Sequence, residues 1–277
     1  MTVSAFALRG VIAAVLTPFD DRGEPDAAKA IPYYRELLNA GCDGLNVMGT
    51  TGEGVSIALG ARLKFMRAIA ESGLPRDRLI VGTGATALGD AIELTRAAYD
   101  LGFAAALVIP PFYYRDASPE GIERFYGALV DRAVPTGGKL LLYNFPRMSG
   151  ITFSPELVDR ILQTCREAIA GIKDSSNDAE LQTQLRERFP SLALFPGSES
   201  SLGALRSRGF AGCISGSVCL WPQLAQEVWK TGDESRSQEL ARLRAGLQGN
   251  SLIGAVRMHV ALQQNDAGWR RSALPLQ

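Results

Sequence analysis

The chain has 277 residues with 29 basic and 29 acidic side chains, so a formal net charge of zero gives no electrostatic reason to expect binding to nucleic acid or to an anionic membrane. A single histidine, His259, excludes a zinc site built from two or three histidines of one chain, and with it the aldolases that depend on such a site. The length is typical of one large folded domain or two ordinary ones, and the 46% apolar content is typical of a folded chain.

The first apolar run, residues 10–16, is interpreted as a buried strand. It is too short to span a bilayer, and the Thr17-Pro18 that follows it does not resemble the cleavage site of a signal peptide. Because the four cysteines form no CxxC pair, they are expected to be reduced, buried thiols: Cys42, Cys165, Cys213 and Cys219. These features predict a cytoplasmic protein.

Short apolar runs continue along the chain and alternate with longer amphipathic stretches. The runs are too continuous to have one wet face, which is typical of parallel strands covered on both sides. The predicted strands are 10–16, 44–48, 79–82, 104–109, 139–143, 168–172, 192–195 and 212–215. The helices predicted between them are 27–40, 62–71, 88–101, 119–134, 155–165, 178–189 and 200–208.

This alternation predicts an α/β protein with a (β/α)8 TIM barrel, and an open doubly wound sheet is the alternative. We expect the barrel to occupy residues 1–220. We expect residues 221–277 to form helices packed on it, over 221–230, 234–247 and 252–263. The last residues, 265–277, are expected to be poorly ordered or to contact another subunit.

In a barrel, function lies at the carboxyl ends of the strands, and one of them carries Lys173. A lysine in a buried position is costly unless it is paired or neutral, and a neutral amine is a nucleophile towards carbonyl groups. The structural alternative is an ion pair with Asp174 or Glu199. The other four lysines are predicted to lie on the surface: Lys29, Lys64, Lys139 and Lys230.

Two further strand ends carry hydroxyl groups. Tyr143 ends the strand before that of Lys173, and a phenol beside an amine can shuttle protons. Thr50 and Thr51 lie in a glycine-rich turn, where backbone N–H groups and hydroxyls can hold a small carboxylate. An ordinary rim tyrosine and a tight turn are the structural alternatives. The turn has neither the GK[ST] of a phosphate loop nor GxGxxG spacing.

These residues resemble the motifs of the dihydrodipicolinate synthase / N-acetylneuraminate lyase superfamily of class I, Schiff-base-forming, pyruvate-dependent aldolases. The resemblance covers almost the whole chain, in the family's order and spacing. It is carried by Gly10-Val11 with Thr17-Pro18-Phe19, by Gly49-Thr50-Thr51-Gly52-Glu53, by Tyr143-Asn144-Phe145-Pro146 with Ser149-Gly150, and by Gly171-Ile172-Lys173-Asp174.

The resemblance implies a role for each matching residue. Lys173 would form a covalent imine with a 2-oxo acid, so no metal and no organic cofactor is expected. Tyr143 would shuttle protons, and Thr50 would link it to Tyr113 of a neighbouring subunit, with Tyr114 as the poorer match. The relatives are commonly tetramers, so a homotetramer or dimer is expected.

The resemblance also implies a set of substrate-binding positions. Gly49, Thr50 and Thr51 would hold the carboxylate of pyruvate, and the carbonyl of Ile214 would face the bound keto acid. The positions near the second substrate are Gly197, Glu199 and Met148.

The match departs from the synthases at Met148, where they carry an arginine that binds the carboxylate of aspartate semialdehyde. This departure favours the lyases and the 2-keto-3-deoxy-sugar-acid aldolases. Glu199 is then a candidate acceptor for substrate hydroxyls. Alternatively, Arg115 or Arg147 would recognise an acidic aldehyde such as glyoxylate, which corresponds to a 4-hydroxy-2-oxoglutarate type of substrate.

The sequence therefore predicts a carbon–carbon lyase that cleaves or condenses a 2-oxo acid, pyruvate foremost, with an aldehyde. Within the enzymes, the alternatives are 4-hydroxy-tetrahydrodipicolinate synthase and a decarboxylating or dehydrating relative acting on a keto-deoxy sugar acid. Two alternatives of another class are a non-catalytic keto-acid-binding protein and a phosphate- or flavin-binding barrel that would use Gly197-Ser198 and Gly216-Ser217.

Overall fold

Parallel strands alternate with helices through most of the chain. The computed structural model describes residues 7–247 and 251–276. The strands in these residues are β1 (Gly10–Ala14), β2 (Gly44–Val47), β3 (Leu79–Gly82), β4 (Ala105–Val108), β5 (Leu140–Asn144), β6 (Ile169–Asp174), β7 (Ala193–Pro196) and β8 (Gly212–Ser215). They form one parallel sheet in the order β7-β6-β5-β4-β3-β2-β1-β8.

The sheet curves until its two edge strands meet. The N–H of Ala211, which directly precedes β8, donates to the carbonyl of Leu194 on β7 at 2.9 Å, and its carbonyl accepts from Gly10 on β1 at 2.7 Å. The sheet is thus a nearly closed barrel. The predicted (β/α)8 TIM barrel with C-terminal helices is confirmed, and the open doubly wound alternative is wrong.

Helices cover the outside of the barrel. The bounds are α1 (Ala27–Asn39), α2 (Leu59–Glu71), α3 (Leu88–Asp100), α4 (Pro119–Ala133), α5 (Pro146–Ser149), α6 (Pro155–Cys165), α7 (Ala179–Arg188) and α8 (Leu202–Leu205). The side chains of Asp26, Ser118 and Ser154 accept backbone N–H groups at the starts of α1, α4 and α6, as the sequence predicts for N-caps. The helix predicted over 200–208 forms but is shorter, with a single turn at Leu202–Leu205.

Alternation along the strands divides the core into two layers. Side chains such as Ile12, Leu141 and Phe195 fill the barrel, while Val11, Leu142 and Leu194 pack between the barrel and the helices. The pairing of Tyr143 with Lys173, and of Lys173 with Phe195, places Lys173 on the inward face. The fold thereby directs the amine into the barrel mouth.

The C-terminal segment packs back on the barrel through α9 (Pro222–Thr231), α10 (Glu234–Ala245), α11 (Leu252–Gln263) and a 3-10 turn, Ala267–Arg270. Trp269 is buried and lies edge-on to Tyr33, with ring centroids 4.8 Å apart. The predicted tail therefore packs on the core through Trp269 and the partly buried Ala273, whereas Leu274 and Leu276 are exposed, and its last position, 277, lies outside the described residues. No helix in residues 7–247 and 251–276 is long and apolar enough to cross a membrane.

Candidate active site

Lys173 is 4% exposed and lies one residue before the end of β6. Its Nζ is 4.4 Å from the centroid of the Tyr143 ring, and no salt bridge to Lys173 occurs among the described residues. The alternative of an ion pair with Asp174 or Glu199 is therefore wrong. None of the other four lysines is buried, as the sequence predicts.

Tyr143 connects the lysine to the turn after β2. Its hydroxyl lies 3.1 Å from Oγ1 of Thr50, and its ring stacks on Phe145 with centroids 5.8 Å apart. The ring is 4% exposed, so its position is fixed by packing. Three strand ends thus bring an amine, a phenol and an aliphatic hydroxyl together at the carboxyl end of the barrel. A hydroxyl pair beside an amine can pass a proton to and from a substrate held there.

The glycine-rich turn that carries Thr50 and Thr51 is tightly constrained. The N–H of Glu53 donates to the carbonyl of Thr50 at 3.0 Å, and the N–H of Gly54 donates to the carbonyl of Gly49 at 3.2 Å. A Cβ on Gly54 would lie 2.1 Å from the carbonyl oxygen of Met48, so only glycine fits there. Backbone and hydroxyl groups are thereby held at the barrel mouth in one arrangement.

Thr51 lies against the end of β8. A Cβ on Gly216 would lie 2.7 Å from Oγ1 of Thr51. Ile214 is fully buried inside the barrel, two residues before this glycine. The turn after β2 and the end of β8 are therefore neighbours, as the predicted pairing of Thr51 and Ile214 around one keto acid requires.

A hydrogen-bond network lies behind Tyr143 and Lys173, on the outer face of β5 and β6. Oδ1 of the buried Asp174 accepts from Nδ2 of Asn144 at 2.5 Å, and Oδ2 accepts from Ser176 at 2.8 Å and from Gln182 at 2.7 Å. Burial raises the pKa of Asp174, and these donors oppose the rise. The Asp174 carboxylate is hydrogen-bonded to neutral donors on the outer face, so Asp174 does not serve as a counter-ion for Lys173.

Glu199 lies buried beyond β7 and accepts from two serines. The hydroxyl of Ser215 donates to Oε2 at 2.5 Å, and the hydroxyl of Ser217 donates to Oε1. Ser217 in turn accepts from Nη1 of Arg244 on α10 at 2.7 Å. Glu199 is 1% exposed, so a substrate hydroxyl would have to replace a serine to reach it. The nearby Gly197 allows close approach of β6, since a Cβ there would lie 2.2 Å from Oγ of Ser175.

The rim after β4 and β5 exposes the residues predicted to face a second molecule. Tyr113 is 76% exposed and stands edge-on to Tyr114, and it makes no hydrogen bond to Thr50 within the described chain. Met148 is 45% exposed on α5. Arg115 lies over this helix, with its Nη2 3.5 Å from the carbonyl of Arg147.

Sequence reasoning missed the residues that support the site. The sequence predicts for Asp174 only an ion pair with Lys173, and it predicts no supporting role for Asn144, Glu53, Arg244 and Arg257. A signal for Arg257 does exist, because it lies among apolar residues on the buried face of α11. The described residues contain no group of three or more His, Cys, Asp or Glu side chains suited to a metal ion.

Comparison with known proteins decides the family. A model of the dihydrodipicolinate synthetase family matches residues 7–258. The chain belongs to this family. Its members are carbon–carbon lyases, and this chain is therefore a carbon–carbon lyase of the dihydrodipicolinate synthase family.

Individual relatives agree with this assignment. The chain is 37% identical to an uncharacterized DapA-like lyase of Chloroflexus aurantiacus, over 86% of this chain and 80% of the relative. It is 32% identical to a 4-hydroxy-tetrahydrodipicolinate synthase of Prochlorococcus marinus, over 74% of this chain and 67% of the relative. The crystal structure of dihydrodipicolinate synthase from Agrobacterium tumefaciens has a TM-score of 0.90 and 27% identity, covering 97% of this chain and 93% of that one.

Proposed function

We propose that this lyase forms an imine between Lys173 and a 2-oxo acid, with pyruvate as the principal one, and cleaves or condenses it with an aldehyde. One observation carries the proposal. The amine of Lys173 is buried without a counter-ion against Tyr143, whose hydroxyl is within hydrogen-bond distance of Thr50. A buried amine without a partner beside a proton-transfer group is suited to attack on a carbonyl.

In the first half of the reaction, Nζ of Lys173 attacks the C2 carbonyl carbon of the 2-oxo acid and gives a carbinolamine. Loss of water from the carbinolamine leaves a protonated imine, and Tyr143 delivers and removes the protons with Thr50 as its partner. The N–H groups and hydroxyls of the Thr50-Thr51 turn hold the carboxylate of the acid. Gly49 and the carbonyl of Ile214 complete this half of the site.

In the second half, the protonated imine withdraws electrons from the neighbouring carbon. Loss of a proton from C3, or cleavage of the bond between C3 and C4, leaves an enamine instead of a bare carbanion. Reaction of the enamine with an aldehyde reverses the cleavage, and hydrolysis frees Lys173. No metal or organic cofactor takes part in these steps.

The aldehyde would bind between Met148 and the network of Gly197 and Glu199. Met148 offers no charge to a carboxylate, which favours a 2-keto-3-deoxy sugar acid as the substrate of cleavage. Glu199, or a serine that binds it, would then accept a hydroxyl of the sugar chain. An acidic aldehyde such as glyoxylate would instead need Arg115, because Arg115 lies over the helix of Met148.

The decisive experiment is reductive trapping. The protein is incubated with pyruvate and borohydride, and its intact mass is measured by mass spectrometry. It is then digested to map the modified peptide. We expect one stable adduct on Lys173, which is absent from Lys173→Ala and unchanged in Lys64→Ala, an exposed lysine variant. Absence of an adduct with every 2-oxo acid tested would contradict the enzyme proposal and favour a non-catalytic keto-acid-binding protein.

A second candidate is 4-hydroxy-tetrahydrodipicolinate synthase, which is the printed activity of the Prochlorococcus relative. The position of Arg115 beside Arg147 favours it, since a cation lies near the place where the synthases carry theirs. Enzyme that forms the trapped adduct with pyruvate is then assayed for turnover of aspartate semialdehyde, glyoxylate and keto-deoxy sugar acids. The compound that is turned over separates the candidates. We further propose that the protein is cytoplasmic and works as a homotetramer or dimer.

A further inference from the structure

A buried ion pair joins the C-terminal segment to the turn after β2. Nε of Arg257, on α11, donates to Oε1 of Glu53 at 2.7 Å, and Nη2 donates to the same oxygen. The two side chains are 1% and 0% exposed, and the residues are 204 positions apart in the chain. Such a pair can be buried only where further hydrogen bonds satisfy both groups.

The C-terminal backbone supplies those further bonds. Oε2 of Glu53 accepts from the N–H of Ala273 at 2.7 Å. Arg257 donates from Nη1 to the carbonyl of Trp269 at 3.2 Å and from Nη2 to the carbonyl of Thr17 at 2.9 Å. Both carboxylate oxygens of Glu53 are thus held by residues of the C-terminal segment. We call these four groups, Glu53, Arg257 and the backbone of Trp269 and Ala273, the clamp.

The clamp fixes the residue that closes the turn. Glu53 has a φ of 54°, a left-handed conformation that is costly for a residue with a side chain. Its N–H donates to the carbonyl of Thr50, and Oγ1 of Thr50 lies 3.1 Å from the hydroxyl of Tyr143. The position of Thr50 relative to Tyr143 therefore depends on the anchoring of the Glu53 side chain.

We propose that Arg257 is a positioning residue for the reaction, acting through Glu53 on the Thr50-Thr51 turn. The inference rests on the proposed function, because it takes the turn as the place where the carboxylate of the 2-oxo acid binds. The C-terminal segment is then part of the catalytic apparatus although it touches no reacting atom. A loosened turn weakens the hold on the carboxylate and misplaces the Thr50 hydroxyl, whereas the site of the aldehyde, near Glu199, is left intact.

The test compares Arg257→Lys with the wild type. It uses borohydride trapping over a series of pyruvate concentrations, and steady-state kinetics with an aldehyde that the wild-type enzyme accepts as a substrate. We expect the half-saturating pyruvate concentration to rise at least about tenfold and kcat to fall, since small misplacements at a site have large effects on rate. The KM for the aldehyde should change less than about twofold. Glu53→Gln keeps the shape of the side chain, and it serves if Arg257→Lys does not fold.

The matched control is Arg186→Lys. Like Arg257, Arg186 donates to backbone carbonyls, but these are the carbonyls of Phe189, Leu192 and Gly209 at the amino end of the barrel. This variant should lower the unfolding midpoint and leave both KM values unchanged. If Arg257→Lys behaves in the same way as this control, the inference is overturned while the proposed function stands. A wild-type protein that traps no 2-oxo acid overturns both.

Discussion

Lys173 owes its free amine to the way in which two nearby carboxylates are occupied. Asp174 follows it in β6, but strand alternation turns that carboxylate to the outer face, where Asn144, Ser176 and Gln182 saturate it. Glu199 is saturated by serine hydroxyls. The neutral donors therefore have two effects, since they satisfy buried charges and they also keep those charges from pairing with the lysine.

Position 148 provides a prediction about the acceptor aldehyde. Met148→Arg should raise kcat/KM for the condensation of pyruvate with aspartate semialdehyde by about fivefold, because a half-exposed ion pair contributes up to about 1 kcal/mol. The measurement compares Met148→Arg with Met148→Leu, which keeps the position apolar. Equal rates for the two variants would show that position 148 does not bind the carboxylate of the acceptor.

At the scale of single residues, the sequence predicts the proposed reactive groups better than it predicts the residues that support them. Lys173, Tyr143 and Thr50 are found from residue type and from their places after apolar runs, and the structure brings them together. The partners of Glu53 cannot be found in this way, because a contact over 204 positions leaves no local pattern. A charged residue on the apolar face of a helix is the one local sign of such a contact.

At the scale of secondary-structure elements, the pairing of β5 with β6 places Tyr143 beside Lys173. The sequence predicts ends at residues 143 and 172, whereas the strands continue to Asn144 and Asp174. The prediction stops short because polar residues after an apolar run are typical of a loop. Here the two polar side chains bond to each other across the strands, and this bond extends the ladder past Tyr143 and Lys173.

This pairing gives a pH-dependent prediction for Asn144→Asp. Two buried carboxyl groups would then face each other, and burial already raises the pKa of Asp174, so the folded pair should keep a proton. A folded-state pKa above the unfolded value contributes stability at low pH that is lost as the pH rises through the folded value. The variant should therefore lose more stability than the wild type between pH 5 and pH 8.

Urea denaturation followed by circular dichroism at the two pH values measures this loss. Asn39→Asp is the matched control, because Asn39 is exposed at the end of α1 and gains no buried carboxyl partner. If Asn144→Asp and Asn39→Asp show the same change in midpoint with pH, the two carboxyl groups do not share a proton.

At the scale of the whole molecule, a single chain does not bring one predicted catalytic residue, Tyr113, to the others. The amine of Lys173, the phenol of Tyr143 and the hydroxyl of Thr50 meet within one barrel, whereas Tyr113 is exposed on the rim and makes no hydrogen bond to Thr50 within the described residues. An exposed aromatic pair at the mouth of the site, Tyr113 with Tyr114, is a surface that a second copy would cover. The chain's fold is therefore predictable from its own sequence, whereas the proposed donation of Tyr113 by a second copy would depend on subunit symmetry, which one chain's pattern does not encode.

Complementation between two inactive variants tests this dependence. Lys173→Ala has an intact Tyr113 to donate, and Tyr113→Phe has an intact Lys173 to receive it. If the tyrosine acts on the neighbouring subunit, each hybrid dimer restores one of its two sites, so coexpression should return about a quarter of wild-type activity. The same experiment with Tyr114→Phe in place of Tyr113→Phe is the control, since that variant should be active by itself. Coexpression that returns no more activity than the Tyr113→Phe variant alone would contradict this exchange. If Tyr113 acts in its own subunit's site, no hybrid site is complete, and if Tyr113 lies outside the reaction, the Tyr113→Phe variant is already active by itself.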